Sequence, residues 1–205
     1  MVILKATKNN IMIAAKIVKR GGLVVYPTET VYGLGCDPMN TQAVKRIIEV
    51  KGNRNKPLPI LVASIEDGEK VAFVSSKGKK LAAKFWPGPL TMVFHKKSAI
   101  PNIVTFSLDS VGLRISNNNV ALQLSNLSGG LLVGSSANRT GEEPPRKVQE
   151  ISWELNRMID VVLDGGPVVH GIPSTVVDLT SGKPKILREG PISLQAIQDA
   201  LSSCD

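Results

Sequence analysis

Short apolar runs of strand length alternate with amphipathic stretches of helical period along this 205-residue chain, and that alternation restricts its fold more than any other feature. Leu23–Tyr26, Leu58–Ala63, Leu90–Phe94, Val111–Ile115, Leu131–Gly134, Val161–Leu163, Thr175–Leu179 and Lys185–Leu187 read as strands. Asn10–Arg20, Thr41–Val50, Lys77–Phe85, Val120–Leu127, Val148–Met158 and Leu194–Leu201 read as helices. Gly21-Gly22 closes the first helix, and Pro87-Gly88-Pro89 stops the third. The pattern predicts an α/β fold, a twisted mixed sheet with flanking helices, in one domain over residues 1–205. Strand order is not contained in it.

Hydrophobic residues make up 42% of the chain and mean hydropathy is +0.07, enough apolar content for a sizeable core. No run reaches membrane-spanning length and no secretory leader opens the sequence, so a cytoplasmic protein without membrane attachment is expected. Cys36 and Cys204 fit neither metal-ligand spacing nor a disulfide framework; both are expected as reduced thiols, with Cys36 a small buried hydrophobe. Charge is unevenly spread. Residues 1–100 hold 17 Lys and Arg against 6 Asp and Glu, whereas residues 101–205 hold 8 against 11. A positive cleft suited to phosphates, nucleic acid or an acidic partner follows as an expectation. The lysines at 77, 80 and 84 are better explained as a solvated helix face opposite Leu81 and Phe85. With 4% aromatic residues, stacking platforms for single-stranded nucleic acid are scarce.

Several common chemistries are missing from the sequence. It has no phosphate loop of the G-x-x-x-x-G-K-[ST] type, no G-x-G-x-x-G and no H-E-x-x-H. Gly134-Ser-Ser-Ala-Asn138 departs from a nucleophile elbow at its last position, and neither His95 nor His170 sits where a triad base belongs. What remains is a set of polar clusters at strand ends. Tyr26-Pro-Thr-Glu-Thr-Val-Tyr-Gly-Leu-Gly35 mixes hydroxyls, a carboxylate and paired glycines beyond an apolar strand. Read alone, it is a hydroxyl-rich turn or a ligand wall with equal ease; as a wall, its glycines are explained by close backbone passage beside the pocket. Lys51-Gly-Asn-Arg54-Asn-Lys56-Pro-Leu58 puts three cations after a helix C-terminus, more than capping of that helix requires and suited to a polyphosphate. Arg114 lies among apolar strand residues, on a solvated face or aimed at a carboxylate. Ser135-Ser-Ala-Asn138, Ser174-Thr-Val-Val-Asp178 and Arg188-Glu-Gly190 continue the theme. Ala137–Arg146 reads as a loop able to cover a site. Together these clusters describe a cavity lined by hydroxyls and guanidinium groups, without a protein nucleophile or metal cage, fit for positioning and charge stabilisation.

The same residues, with Phe85-Trp-Pro-Gly-Pro-Leu-Thr91, occur in the order found in the YrdC/TsaC family of threonylcarbamoyl-AMP synthases, which the chain resembles over roughly residues 10–195. The resemblance implies a twisted α/β sheet around a positively charged cavity. It further implies condensation of L-threonine, bicarbonate and ATP to threonylcarbamoyl-adenylate with release of pyrophosphate, the first step towards t6A in tRNA. By position, Thr28, Arg114 and Ser174 resemble the family's threonine-binding residues; Lys51, Arg54, Ser136, Asn138 and Arg188 resemble its ATP contacts, with Ser110 as a further nucleotide contact. Two residues separate Lys51 from Arg54, where the family commonly writes K-x-R with one between them. Mg²⁺ is implied as ATP-borne, and no protein metal site is implied. A downstream t6A transferase and tRNA or double-stranded RNA are implied partners. The chain ends soon after Arg188–Gly190 and so resembles the short form without the extra C-terminal domain of some relatives. An RNA-binding or ribosome-assembly protein of the same fold is the alternative reading.

Overall fold

The computed structural model describes residues 2–202; Cys204 lies outside them. Eleven strands and eight α-helices are defined within that span. In chain order they are β1 (Val2–Lys5), α1 (Lys8–Lys19), β2 (Val24–Tyr26), β3 (Gly33–Gly35), α2 (Thr41–Lys51), β4 (Ile60–Val62), α3 (Ile65–Val71), α4 (Ser76–Phe85), β5 (Leu90–His95) and α5 (Asn102–Thr105). There follow β6 (Ser110–Arg114), α6 (Asn119–Leu127), β7 (Leu131–Val133), β8 (Ser135–Ser136), α7 (Trp153–Asn156), β9 (Val161–Asp164), β10 (Thr175–Asp178), β11 (Lys185–Arg188) and α8 (Leu194–Ser202).

The strands form two mixed sheets rather than one. The first runs β1-β9-β2-β3-β8 and the second β11-β10-β5-β6-β4-β7. β9 pairs in parallel with both β1 and β2, while β3 is antiparallel to β2 and β8. In the second sheet β10 is parallel to β5 and β4 to β6, and the remaining pairs are antiparallel. Gly134 carries the chain from β7 in one sheet to β8 in the other, its N–H bonded to the Pro59 carbonyl at 2.8 Å.

Alternate residues of a strand face opposite sides, and in β2 and β9 both sides are buried. Val24, Tyr26, Val161 and Leu163 pack beneath α1 and α6; Leu23, Val25 and Val162 belong to the larger core shared with α2, α4 and α8. Most helices begin on side-chain caps. Asn40 Oδ1 accepts from the Gln42 and Ala43 N–H groups at 3.1 Å, and Thr7, Ser64, Ser75 and Asn118 serve α1, α3, α4 and α6 in the same way.

Two expectations are corrected. Val148–Met158 is not one helix: a 3-10 turn over Val148–Glu150 ends at extended Ile151, and Ser152 caps the short α7 afresh by accepting from the Leu155 N–H. The glycines of β3 serve the Tyr26 ring and not a pocket. A Cβ at Gly33 would lie 2.8 Å from that ring, and one at Gly35 2.6 Å from the Val133 carbonyl. Cys36 is fully buried as expected, and burial raises its thiol pKa.

Candidate functional site

The run after β2 folds into a turn held by hydroxyls. Thr28 Oγ1 donates to the Val31 carbonyl at 2.6 Å and accepts from the backbone N–H groups of Thr30 and Val31. Its one proton is therefore committed, so the 2.8 Å contact with Thr30 Oγ1 has Thr30 as donor. Thr30 Oγ1 in turn accepts from Arg114 Nη1 at 3.1 Å. Thr28 is thus saturated inside the turn, and Thr30 forms the wall.

Arg114, at the end of β6, is 6% exposed and tightly held. Its Nε donates to the Gly88 carbonyl at 3.1 Å, and its Nη2 lies 2.7 Å from Glu29 Oε1. Nε and Nη1 each donate to protein and Nη2 is buried against Glu29, so at most one N–H, on Nη1, is left for a ligand. Glu29 also accepts from the Ser116 hydroxyl. Burial alone would raise the Glu29 carboxyl pKa, but the Arg114 charge and the Ser116 hydroxyl outweigh it and hold it below the usual carboxylate range. Glu29, for which sequence offered no role, is the buried counter-ion of Arg114.

The cavity beyond Arg114 measures about 90 Å³ and is lined by Thr30, Val31, Arg54, Pro59, Leu61, Thr91, Arg114, Gly134, Ser135, Ser136, Pro173, Ser174 and Arg188. Ser174 is fixed in its wall: Arg188 donates through Nε to the Ser174 carbonyl at 2.9 Å and through Nη2 to its hydroxyl at 3.0 Å, and Thr91 Oγ1 lies 2.8 Å away. A second cleft of about 400 Å³ adjoins the first. It is more apolar, with Pro57, Val93, Leu108, Gly112, Val176 and Leu187 beside Lys56 and Ser110. Arg54, Pro59, Thr91 and Arg188 line both and form the wall between them. Thr91 and Val93 reach this side of β5 because Leu90, Met92 and Phe94, of opposite parity, are spent in the core.

Arg54 thus stands between the cavities despite its shifted spacing from Lys51, donating to the Pro57 carbonyl and reaching Ser135 Oγ at 3.5 Å. Burial and the nearby Arg188 charge lower its pKa to about 10. Lys51 behaves differently. Its ammonium turns inward to the carbonyls of Ser136 at 2.8 Å and Asn138 at 2.5 Å, and to Asn138 Oδ1 at 3.2 Å, and neither it nor Asn138 is among the lining residues. Burial first, then Arg54, pull the Lys51 pKa down to about 7, with Glu142 acting against them. The loop after Asn138 is tied down, with Asn138 Nδ2 bonded to the Glu142 carbonyl at 2.6 Å and the Thr140 N–H to the Lys51 carbonyl at 2.9 Å.

The structure therefore brings Arg54, Arg114, Ser136, Ser174 and Arg188 into one cavity and Ser110 into the adjoining cleft, while Thr28, Lys51 and Asn138 stand behind the walls. Thr91, Pro59 and Pro173 line the cavity without having been assigned a site role from sequence. For Thr91 the signal was its alternation with core residues along β5. Among the described residues no cluster of three or more His, Cys, Asp and Glu is placed to hold a metal, and no helix is long and apolar enough to cross a membrane.

Residues 16–190 match the family model Sua5/YciO/YrdC, which carries the description "Telomere recombination". The chain is 39% identical over 193 residues to the threonylcarbamoyl-AMP synthase of Pyrococcus abyssi, covering 93% of this chain and 57% of that protein. It is 36% identical to a putative threonylcarbamoyl-AMP synthase of Methanocaldococcus jannaschii, covering 89% and 86%. Among solved structures, P. abyssi Sua5 complexed with L-threonine superposes with a TM-score of 0.95 at 37% identity, over 98% of this chain and 61% of that one. The chain thus spans little more than half the length of the Pyrococcus synthase.

Proposed function

Since the chain belongs to the Sua5/YciO/YrdC family, we propose that it condenses L-threonine, bicarbonate and ATP into threonylcarbamoyl-adenylate and pyrophosphate. The observation that carries the proposal is the paired cavity: a small one ending on Arg114 and a larger, more apolar one, joined at Arg54 and Arg188. The relative solved with L-threonine supports threonine as a ligand, and the guanidinium and hydroxyls of the small cavity suit it. There the Nη1 edge of Arg114 meets its carboxylate, with Thr30 and Ser174 beside it. The nucleotide takes the larger cleft, its base against the apolar floor near Ser110.

The threonine amine attacks bicarbonate carbon; a C–N bond forms, water departs with one amine proton, and a carbamate remains. A carbamate oxygen then attacks the α-phosphorus, and the bond to pyrophosphate breaks. Arg54 and Arg188 flank the junction where negative charge gathers. ATP-borne Mg²⁺ would supply further charge neutralisation for the leaving pyrophosphate; among the described residues no cluster of three or more His, Cys, Asp and Glu is placed to hold it. Lys51 and Asn138 act from behind the wall by fixing the Ser136 strand end. Transfer of the product to tRNA by a t6A transferase follows in this reading, in the cytoplasm.

Incubation with ¹⁴C-bicarbonate, L-threonine, ATP and Mg²⁺ tests it. A labelled adenylate and stoichiometric pyrophosphate are expected, with loss of both in Ser136→Ala and Arg114→Lys. Threonine-independent pyrophosphate release, or none, sinks the reading; a salt-sensitive tRNA complex indifferent to ATP and threonine would favour an RNA-binding protein instead.

A further inference from the structure

The thirteen residues lining the small cavity include three arginines and no acid. Glu29 balances Arg114 from behind, with both its oxygens engaged by Arg114 and Ser116. Arg54 and Arg188 have no ion-pair partner among the described residues; they donate to the Pro57 carbonyl and to Ser174. Lys51 adds a cation behind Ser136, with Glu142 near it, and His170 reaches the region through its backbone N–H to the Glu29 carbonyl. A zwitterionic amino acid meets this arrangement half-matched. Arg114 suits its carboxylate, but its ammonium would stand among uncompensated guanidinium groups with only hydroxyls and carbonyls to receive it.

Resting on the synthase reading above, we infer that the small cavity takes the amino acid with its nitrogen uncharged, and holds the N-carboxy dianion more tightly than free L-threonine. Arg114 meets the α-carboxylate, and Arg54 and Arg188 at the shared wall meet the new carboxylate. Carbamate formation balances as amine plus bicarbonate giving carbamate plus water; starting from the ammonium form, one further proton goes to solvent. The surrounding cations favour loss of that proton and retention of the product. The site therefore needs no side-chain base: its charge does the selecting.

The test uses wild-type protein without nucleotide, in buffer purged of carbon dioxide. Isothermal titration compares L-threonine with 2-(1-hydroxyethyl)butanedioate, a stable dianion in which CH₂ replaces the carbamate NH. The dianion is expected to bind at least about tenfold more tightly. Threonine affinity is expected to climb about tenfold per pH unit while the ammonium form predominates in solution. Adding bicarbonate should tighten threonine binding further. Equal or weaker binding of the dianion, or threonine affinity flat between about pH 6.5 and about pH 8.5, overturns the inference. Adenylate synthesis by the same preparation separates the two levels. If adenylate forms without the dianion preference, only this inference fails; if no adenylate forms, the synthase reading fails with it.

Discussion

The Lys51 ammonium lies 2.8 Å from the Ser136 carbonyl and 2.5 Å from that of Asn138, in a position that is 2% exposed. In sequence it was one of three cations awaiting a polyphosphate; in the fold it is a brace for the strand end that faces the cavity. Its titration gives the brace a measurable signature. Lysine in an unfolded chain titrates near about 10.4, and burial lowers Lys51 to about 7 in the folded protein. Between those values the unfolded state binds more protons, so stability rises with pH. Below them both states are protonated and the cost of burying the charge is felt in full. The urea midpoint of the wild type is expected to climb from about pH 7 to about pH 9, and Lys51→Met is expected to lack that slope. Parallel pH curves for the two proteins would show that Lys51 stays charged when buried. The same distance between residue type and residue role explains the threonines. Thr28 and Thr30 are chemically alike, but Thr28 spends its hydroxyl inside the turn on the Val31 carbonyl while Thr30 reaches the wall. Glu29 was unreadable for a related reason, since its partner Arg114 lies 85 residues away.

At the scale of elements, periodicity carried the long pieces and missed those made by their partners. Helices α1, α2, α4, α6 and α8 and strands β2, β5, β6, β9 and β10 fall where apolar spacing puts them, within two residues at most ends. Gly33–Gly35 and Ser135–Ser136 carry too little apolar character to announce strands, and they become strands by pairing with one another. The long helix expected over Val148–Met158 failed because Ser152 offers a new cap, and capping competes with continuation. Strand β10 shows how tightly neighbouring elements fix the site. A Cβ at Gly190 would lie 2.3 Å from the Thr175 nitrogen and 2.6 Å from the Ser174 carbonyl carbon, both backbone atoms without freedom to yield. Gly190→Ala should therefore lower stability by about 1–3 kcal/mol and weaken threonine binding through displacement of Ser174. Gly182→Ala, where a Cβ meets nothing within 4 Å, should leave the urea midpoint and threonine affinity unchanged. Equal behaviour of the two variants would refute the packing argument.

For the whole molecule, the uneven charge of the two halves proved a poor guide to the site. The cavity takes Arg54 from the basic half and Arg114 and Arg188 from the acidic one. What assembles them is topology, and topology was the part that local patterns lacked. The order β1-β9-β2 sets a strand beginning at Val161 between strands beginning at Val2 and Val24, and β10, from Thr175, flanks β5. This interleaving bears on how the protein is made. A ribosome delivers β1 and β2 long before β9 exists, so the two earlier strands must wait, side by side but without the strand that separates them. Nascent chains arrested after about residue 150, allowing for the exit tunnel, should remain sensitive to protease, and chains released beyond α8 should become resistant in a single step. Protection appearing gradually with chain length would mean that the sheets close in some other order. Synthesis thus keeps the cavity unformed until the last of the described strands has arrived, because a guanidinium of the wall it shares with the adjoining cleft belongs to β11.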